Sequence, residues 1–216
     1  MRNLKRMGAT LMALALVLGM KLTAFAAVED TGFSDVSADA WYADAVAYVR
    51  DNGLMSGTSA AAFDPDGTMT RAMLAQTLYR AAGSPAVSGS DSFTDTAEGA
   101  WYADAVLWAS RQGVISGYGS GLFGTDDPVT REQIAAILWR YAGSPAAEAG
   151  TDFADEADIS AYAAQAVDWA RASGVVNGAD GSLFLPRASA TRAQAAVILR
   201  NYLTASAPAE PEQPGE

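Results

Sequence analysis

The sequence predicts an all-α protein: three tandem helix-loop-helix repeats that share one core as a single pseudo-three-fold domain over residues 31–204. Three observations carry this reading. Blocks of residues recur at a fixed offset, each block contains two segments with helical apolar spacing, and capping residues sit where those segments start and stop.

The recurrence is dense. Trp-Tyr-Ala-Asp-Ala-Val occupies 41–46 and again 101–106, and Ala-Gly-Ser-Pro at 82–85 returns at 142–145, both 60 residues on. Phe33, Phe93 and Phe153 continue the register, each followed two residues later by Asp35, Asp95 or Asp155. A one-residue insertion then makes the second offset 61, which Gly53, Gly113 and Gly174 obey, as do Gly57, Gly117 and Gly178. Thr70-Arg71, Thr130-Arg131 and Thr191-Arg192 complete the set. The repeats read as 31–85, 91–145 and 151–204, joined by short Ser-Pro-Ala linkers.

Within each copy the first segment places Trp41, Ala45 and Tyr48 at i, i+4 and i+7, matched by Trp101, Ala105, Trp108 and by Tyr162, Ala166, Trp169. That spacing predicts one apolar helix face ending at the Gly53-type position, where a glycine C-cap belongs. The second segment repeats the spacing at Leu74, Leu78, Ala81 and their counterparts. Thr70, Thr130 and Thr191 stand as N-caps, with Gln133 and Gln194 completing capping boxes that Met73 breaks in the first copy. A two-helix unit of this size leaves apolar surface uncovered, and three copies remove it by sharing a core.

The ends read differently. Arg2, Lys5 and Arg6, the apolar run Leu11 to Leu18 and Ala24-Phe25-Ala26 form the three parts of a cleavable secretion signal over 1–26. Residues 205–216 are Pro/Glu-rich and predict a disordered tail. The leader holds four of the 14 basic residues and none of the 25 acidic ones, so the mature part keeps ten, all arginine, for a net charge of −15. Such a body disfavours nucleic acid and anionic bilayers, and no later apolar run is long enough to span a membrane. Cysteine and histidine are both absent. That removes disulfides, catalytic triads and the usual zinc ligands together, and no cofactor or metal is expected. Asp64-Pro65-Asp66-Gly67-Thr68 has the acids of a calcium loop without its closing glutamate and reads as a turn.

The order Phe-x-Asp-Val, Trp with a following Ala-Val, Gly-x-x-x-Gly, Phe and Thr-Arg-x-x resembles the S-layer homology repeat, in all three copies. The resemblance implies a three-pronged spindle around a central three-helix bundle. It further implies a non-catalytic module, secreted and attached to the outer face of a Gram-positive-type cell wall. Such a module grips an anionic, often pyruvylated, secondary cell-wall polysaccharide in grooves between repeats, with other surface proteins as further partners. The family's Thr-Arg-Ala-Glu is here Thr-Arg-Ala-Met (70–73), Thr-Arg-Glu-Gln (130–133) and Thr-Arg-Ala-Gln (191–194); further departures are Tyr162 in place of tryptophan and Leu185-Pro186-Arg187.

Arg71, Arg131 and Arg192 lead the candidate site. Each follows an N-cap, where the helix dipole makes a cation mildly unfavourable, so helix stability does not explain them. Free helix N–H groups beside a guanidinium suit a carboxylate; the competing role is pairing with Asp35, Asp95 or Asp155 to tie repeats together. Those aspartates either contact sugar hydroxyls, orient the arginines or serve in turns. Gly57, Gly117 and Gly178 read as turn glycines with positive φ, or as places where a sugar meets bare backbone. Tyr118 and Asp180 follow such glycines toward the same groove. Trp41, Trp101 and Tyr162 read as core by spacing, with stacking on a sugar ring as the functional alternative for the same rings. Two other functions stay open: a two-carboxylate hydrolase acting on the wall, and a surface protein–protein scaffold.

Overall fold

The computed structural model describes residues 31–147, 150, 152–179 and 182–205. The expected secretion signal and all but the first residue of the expected tail lie outside them, as does Asp180. The described chain is helical: α1 (Ala43–Asp51), α2 (Arg71–Ala81), α3 (Ala103–Arg111), α4 (Arg131–Tyr141), α5 (Ala164–Ala172) and α6 (Arg192–Ala205). Among the described residues the β-type pairing is limited to isolated bridges between the segments that precede α2, α4 and α6.

Each first helix ends as its glycine dictates. Gly53, Gly113 and Gly174 take φ of +65°, +68° and +69°. Their N–H groups bond back to residues 50, 110 and 171, while the next residues' N–H groups reach carbonyls 49, 109 and 170. That double closure satisfies carbonyls of the last turn and turns the chain sharply. Each second helix starts as its threonine dictates. The Thr70, Thr130 and Thr191 hydroxyls accept the N–H three residues on, and Gln133 and Gln194 return the bond to the threonine N–H.

The repeats interlock in cyclic order. The tightest helix packing is between helices of successive repeats, α2 on α3 and α4 on α5, with α6 returning to α1. Just before the second helices, backbone hydrogen bonds close a ring. The Met69 N–H donates to Ala190 O at 3.0 Å, Ala190 N–H to Val129 O at 2.9 Å, and Val129 N–H to Met69 O at 2.9 Å. One apolar core runs through all three units, with Phe63, Phe123, Phe184, Leu74, Leu78, Ile134, Leu138 and Leu199 fully buried. Rings of adjacent elements meet within it, Tyr79 on Trp108 at 5.7 Å and Tyr141 on Tyr202 at 5.8 Å.

The aromatic that opens each repeat departs from the expected core face. Trp41 is 68% exposed, Trp101 60% and Tyr162 53%. The first helices begin only at Ala43, Ala103 and Ala164, so these rings lie in the preceding turn, where the 100° per residue periodicity does not hold. The core side of the same helices is carried by Ala45, Val46 and Val49 and their counterparts.

Candidate functional site

Among the described residues three clefts form where repeats meet, and each draws walls from all three copies. The first, of about 380 Å³, is lined by Arg131 of repeat 2, Asn177, Gly178, Gln194 and Asn201 of repeat 3, and Trp41 of repeat 1. The second, of about 270 Å³, has Arg71 of repeat 1, Gly117, Tyr118, Gln133 and Arg140 of repeat 2, and Tyr162 of repeat 3. The third, of about 160 Å³, has Arg192 of repeat 3, Ser56, Met73 and Arg80 of repeat 1, and Trp101 of repeat 2.

The arginine in each cleft is only 5–6% exposed and reaches across a repeat boundary. Arg71 donates from Nε to Phe123 O at 2.9 Å and from Nη2 to Ser116 O at 2.8 Å. Arg131 does the same to Phe184 O at 2.6 Å and Asn177 O at 3.2 Å. Arg192 closes the circle onto Phe63 O at 2.8 Å and Ser56 O at 2.7 Å. Each guanidinium also lies over the phenylalanine whose carbonyl it holds, with its carbon 4.6–5.3 Å from the ring centre. Burial lowers all three arginine pKa values from the ordinary range, yet a guanidinium starts so high that it stays charged.

Two expectations are corrected here. The hydrogen-bonded partners of these arginines are carbonyls rather than Asp35, Asp95 or Asp155, although Asp35 and Asp155 remain near enough to Arg192 and Arg131 to act through charge. The helix N–H groups are not free for an anion either. The first two of α2 donate to Asp127 O and Thr125 O, those of α4 to Ala188 O and Pro186 O, and those of α6 to Gly67 O and Pro65 O. The neighbouring repeat's loop has taken the place proposed for a ligand.

The aspartates line none of the clefts. Asp35 accepts the Phe63 and Asp64 N–H groups, Asp95 those of Phe123 and Gly124, and Asp155 those of Phe184 and Leu185, all at 2.6–2.8 Å. What burial they have pushes their pKa up, but these donated hydrogen bonds outweigh it and hold all three below the ordinary aspartate value. They hold in place the same phenylalanine peptides whose carbonyls the arginines grip.

Gly117 and Gly178 line their clefts, whereas the third cleft uses Ser56 beside Gly57. Gly57 and Gly117 do not have the expected positive φ. Space is the reason for both: a Cβ on Gly57 would sit 2.5 Å from Ala62 O and 2.6 Å from Phe33 Cε1, and one on Gly117 would strike Leu122 O and Phe93. Tyr118 does reach its cleft, with its ring centre 4.5 Å from the Arg71 guanidinium.

Arg80, Arg140 and the glutamine–methionine position were not anticipated as cleft residues. Arg80 and Arg140 stand ten residues after their N-cap threonines and keep the 60-residue offset, with Asn201 as the third counterpart; that recurrence was the available signal. Arg80 Nη1 donates to Leu54 O at 3.3 Å. The Arg140 guanidinium has no hydrogen-bond or ion-pair partner among the described residues. Around the second cleft, Tyr162 donates its hydroxyl to the buried Glu132 at 3.0 Å, and Glu132 also accepts from Ser160. Burial and that carboxylate push the phenol up to about 12. In the repeat register the counterparts of Tyr162 are Trp41 and Trp101, and those of Glu132 are Ala193 and Ala72.

Among known families, the S-layer homology domain matches residues 32–73, 92–135 and 152–196. An amylopullulanase of Thermoanaerobacterium thermosulfurigenes is 32% identical over 84% of this chain and 10% of its own length. The S-layer protein sap of Bacillus anthracis is 31% identical over 62% of the chain and 16% of its length, and a cellulosome-anchoring protein of Acetivibrio thermocellus is 27% identical over 69% and 35%. The chain thus spans about a tenth to a third of the curated relatives it matches.

Proposed function

Because the chain belongs to the S-layer homology family, we propose that it is a non-catalytic cell-wall anchoring module, carried to the cell surface, whose inter-repeat clefts hold an anionic secondary cell-wall polymer. One observation carries the reading. Every cleft sets an arginine against a strongly exposed aromatic ring. An exposed ring offers a flat face to a sugar, and a guanidinium beside it offers hydrogen bonds to a carboxylate. A pyruvylated sugar presents both features in one residue. The relatives whose names speak of S-layers and cellulosome anchoring support a wall-bound role. The relatives named as enzymes match over a small part of their length, which supports placing their chemistry elsewhere in those chains. We also read the cyclic exchange of contacts, and the ring of hydrogen bonds at the starts of α2, α4 and α6, as a pseudo-three-fold spindle with those helices on its axis.

Co-sedimentation with purified cell walls tests the function, before and after acid extraction of the secondary polymer. Extraction is expected to abolish pelleting. The variants of choice are Trp41→Ala and Tyr162→Ala, because these rings are exposed and their loss leaves the arginine clasps intact; each should weaken pelleting on untreated walls. Persistent binding to extracted walls would favour a protein scaffold, and release of reducing ends from the walls would favour a hydrolase.

A further inference from the structure

Resting on that reading, we infer that the three clefts are not equivalent: Met73 closes the Arg192 cleft, and ligand is taken by the Arg131 and Arg71 clefts. The position three residues after each N-cap threonine decides this. It holds Gln133 and Gln194 in repeats 2 and 3, where each amide turns back to its threonine N–H to complete a capping box. In repeat 1 it holds Met73, which has no such partner to return to, and its sulfur instead lies 4.0 Å from Nη1 of Arg192.

The consequence is read atom by atom at the guanidinium. All three arginines spend Nε and Nη2 on carbonyls of the next repeat. Nη1 is what remains for a ligand. In Arg71 and Arg131 it makes no hydrogen bond among the described residues and is not a buried orphan there, and each of these arginines lines its cleft. In Arg192 the same atom is covered by the thioether, a poor acceptor that contributes little and mainly excludes others. The second cation differs too. The Arg140 side chain makes no hydrogen bond or ion pair among the described residues in the Arg71 cleft, while that of Arg80 is already committed to Leu54 O and Ser56 Oγ in the Arg192 cleft. The cleft volumes follow the same order, about 380 and 270 Å³ against 160 Å³.

The two open clefts also differ in charge. The Arg131 cleft has Asn201 where the Arg71 cleft has Arg140, and small Ala179 where the other has Tyr118 over the guanidinium. A singly charged sugar with room for its ring fits the former, and the paired guanidiniums of the latter suit a more acidic one.

Exposed indoles provide a separate reporter for two of the clefts. Trp41 lines the Arg131 cleft and Trp101 the Arg192 cleft, while the Trp139 indole is tied to Pro145 O at 2.8 Å and serves as a reference. The full chain, labelled with 15N, is titrated with a methyl glycoside of a pyruvate-ketal N-acetylhexosamine while the indole N–H signals are followed. The glycoside without the ketal serves as control. The Trp41 signal should move to saturation, with a Trp101 midpoint at least tenfold higher. Met73→Gln, which restores the capping box and should fold as well as the parent, should bring the Trp101 midpoint down to that of Trp41. A Trp101 midpoint within threefold of Trp41 in the unsubstituted protein, or one that Met73→Gln leaves unchanged, would overturn the inference. So would silence of both indoles in a protein that still pellets with polymer-bearing walls. Failure to pellet at all would instead sink the anchoring function itself.

Discussion

Replacing Arg131 by alanine should cost more in folding stability than any exposed substitution in the molecule, about 3–5 kcal/mol. The guanidinium donates two charge-assisted hydrogen bonds, to Phe184 O at 2.6 Å and Asn177 O at 3.2 Å, from a side chain 5% exposed. Bonds to a charged donor contribute roughly 1.5–3 kcal/mol each. The longer one belongs at the low end, and water entering the adjacent cleft recovers part of its loss. The contact with the Phe184 ring, 5.1 Å away, adds about 1 kcal/mol. Against a domain stability on the order of 5–15 kcal/mol the loss is severe. Urea unfolding followed by far-ultraviolet circular dichroism measures it from the shift in midpoint at constant slope. Arg131→Lys should fall between, because one ammonium cannot reproduce the planar fork that reaches both carbonyls. The exposed Arg187→Ala should stay within about 0.5 kcal/mol of the parent. If Arg131→Ala lost less than about 1 kcal/mol, the inter-repeat clasp would carry no weight and the reasoning would fail.

Two further outcomes test the framework around the clefts. Gly117→Ala should destabilise by about 1–3 kcal/mol on the same unfolding assay, since its Cβ meets the Leu122 carbonyl and the Phe93 ring; Gly119→Ala, which has open space and only a φ of +74° to strain it, should cost less. Asp35, Asp95 and Asp155 have folded pKa values below the ordinary 3.8, so their stabilisation is complete above that value and is lost as pH falls through the lowered ones. The thermal midpoint should therefore drop on acidification below about pH 4, and Asp95→Asn should flatten that acid limb; an unchanged limb in the variant would contradict the assignment.

Much of the fold is legible in the sequence because local chemistry decides it. Thr130 with Gln133 needs only its own helix start to form a capping box, and Gly113 needs only its own helix end to reverse the chain. Leu74, Leu78, Ile134 and Leu138 are buried where a 3.6-residue period puts them. Legibility ends where partners come from another repeat. Nothing in the neighbourhood of Arg71 announces that it will hold Phe123 O, 52 residues away, or that Arg192 will hold Phe63 O across 129. The sequence misplaces Trp41 for the opposite reason: a helical period carried two residues ahead of the start of α1 makes an exposed ring look like a core residue.

The position of the arginines poses a problem that the cyclic contacts resolve. A cation in the first turn of a helix opposes the dipole, and here it occurs in all three second helices. The loop that each arginine grips also brings two carbonyl oxygens to the first two N–H groups of the same helix, as with Asp127 O and Thr125 O on α2. Those carbonyls supply the negative ends that the helix start wants, so the cost of the cation is offset by the loop it recruits. The exchange uses four donors of one repeat, two from backbone and two from a guanidinium, to fix one loop of the next. It leaves Nη1 of Arg71 and Arg131 without a hydrogen bond among the described residues, in side chains that line clefts whose walls include the same loop. A cleft made in this way exists only when successive repeats are docked. Ligand bound there must therefore stabilise the docked state in proportion to its occupancy, and a wall-bound protein should resist unfolding at the repeat junctions more than a free one does.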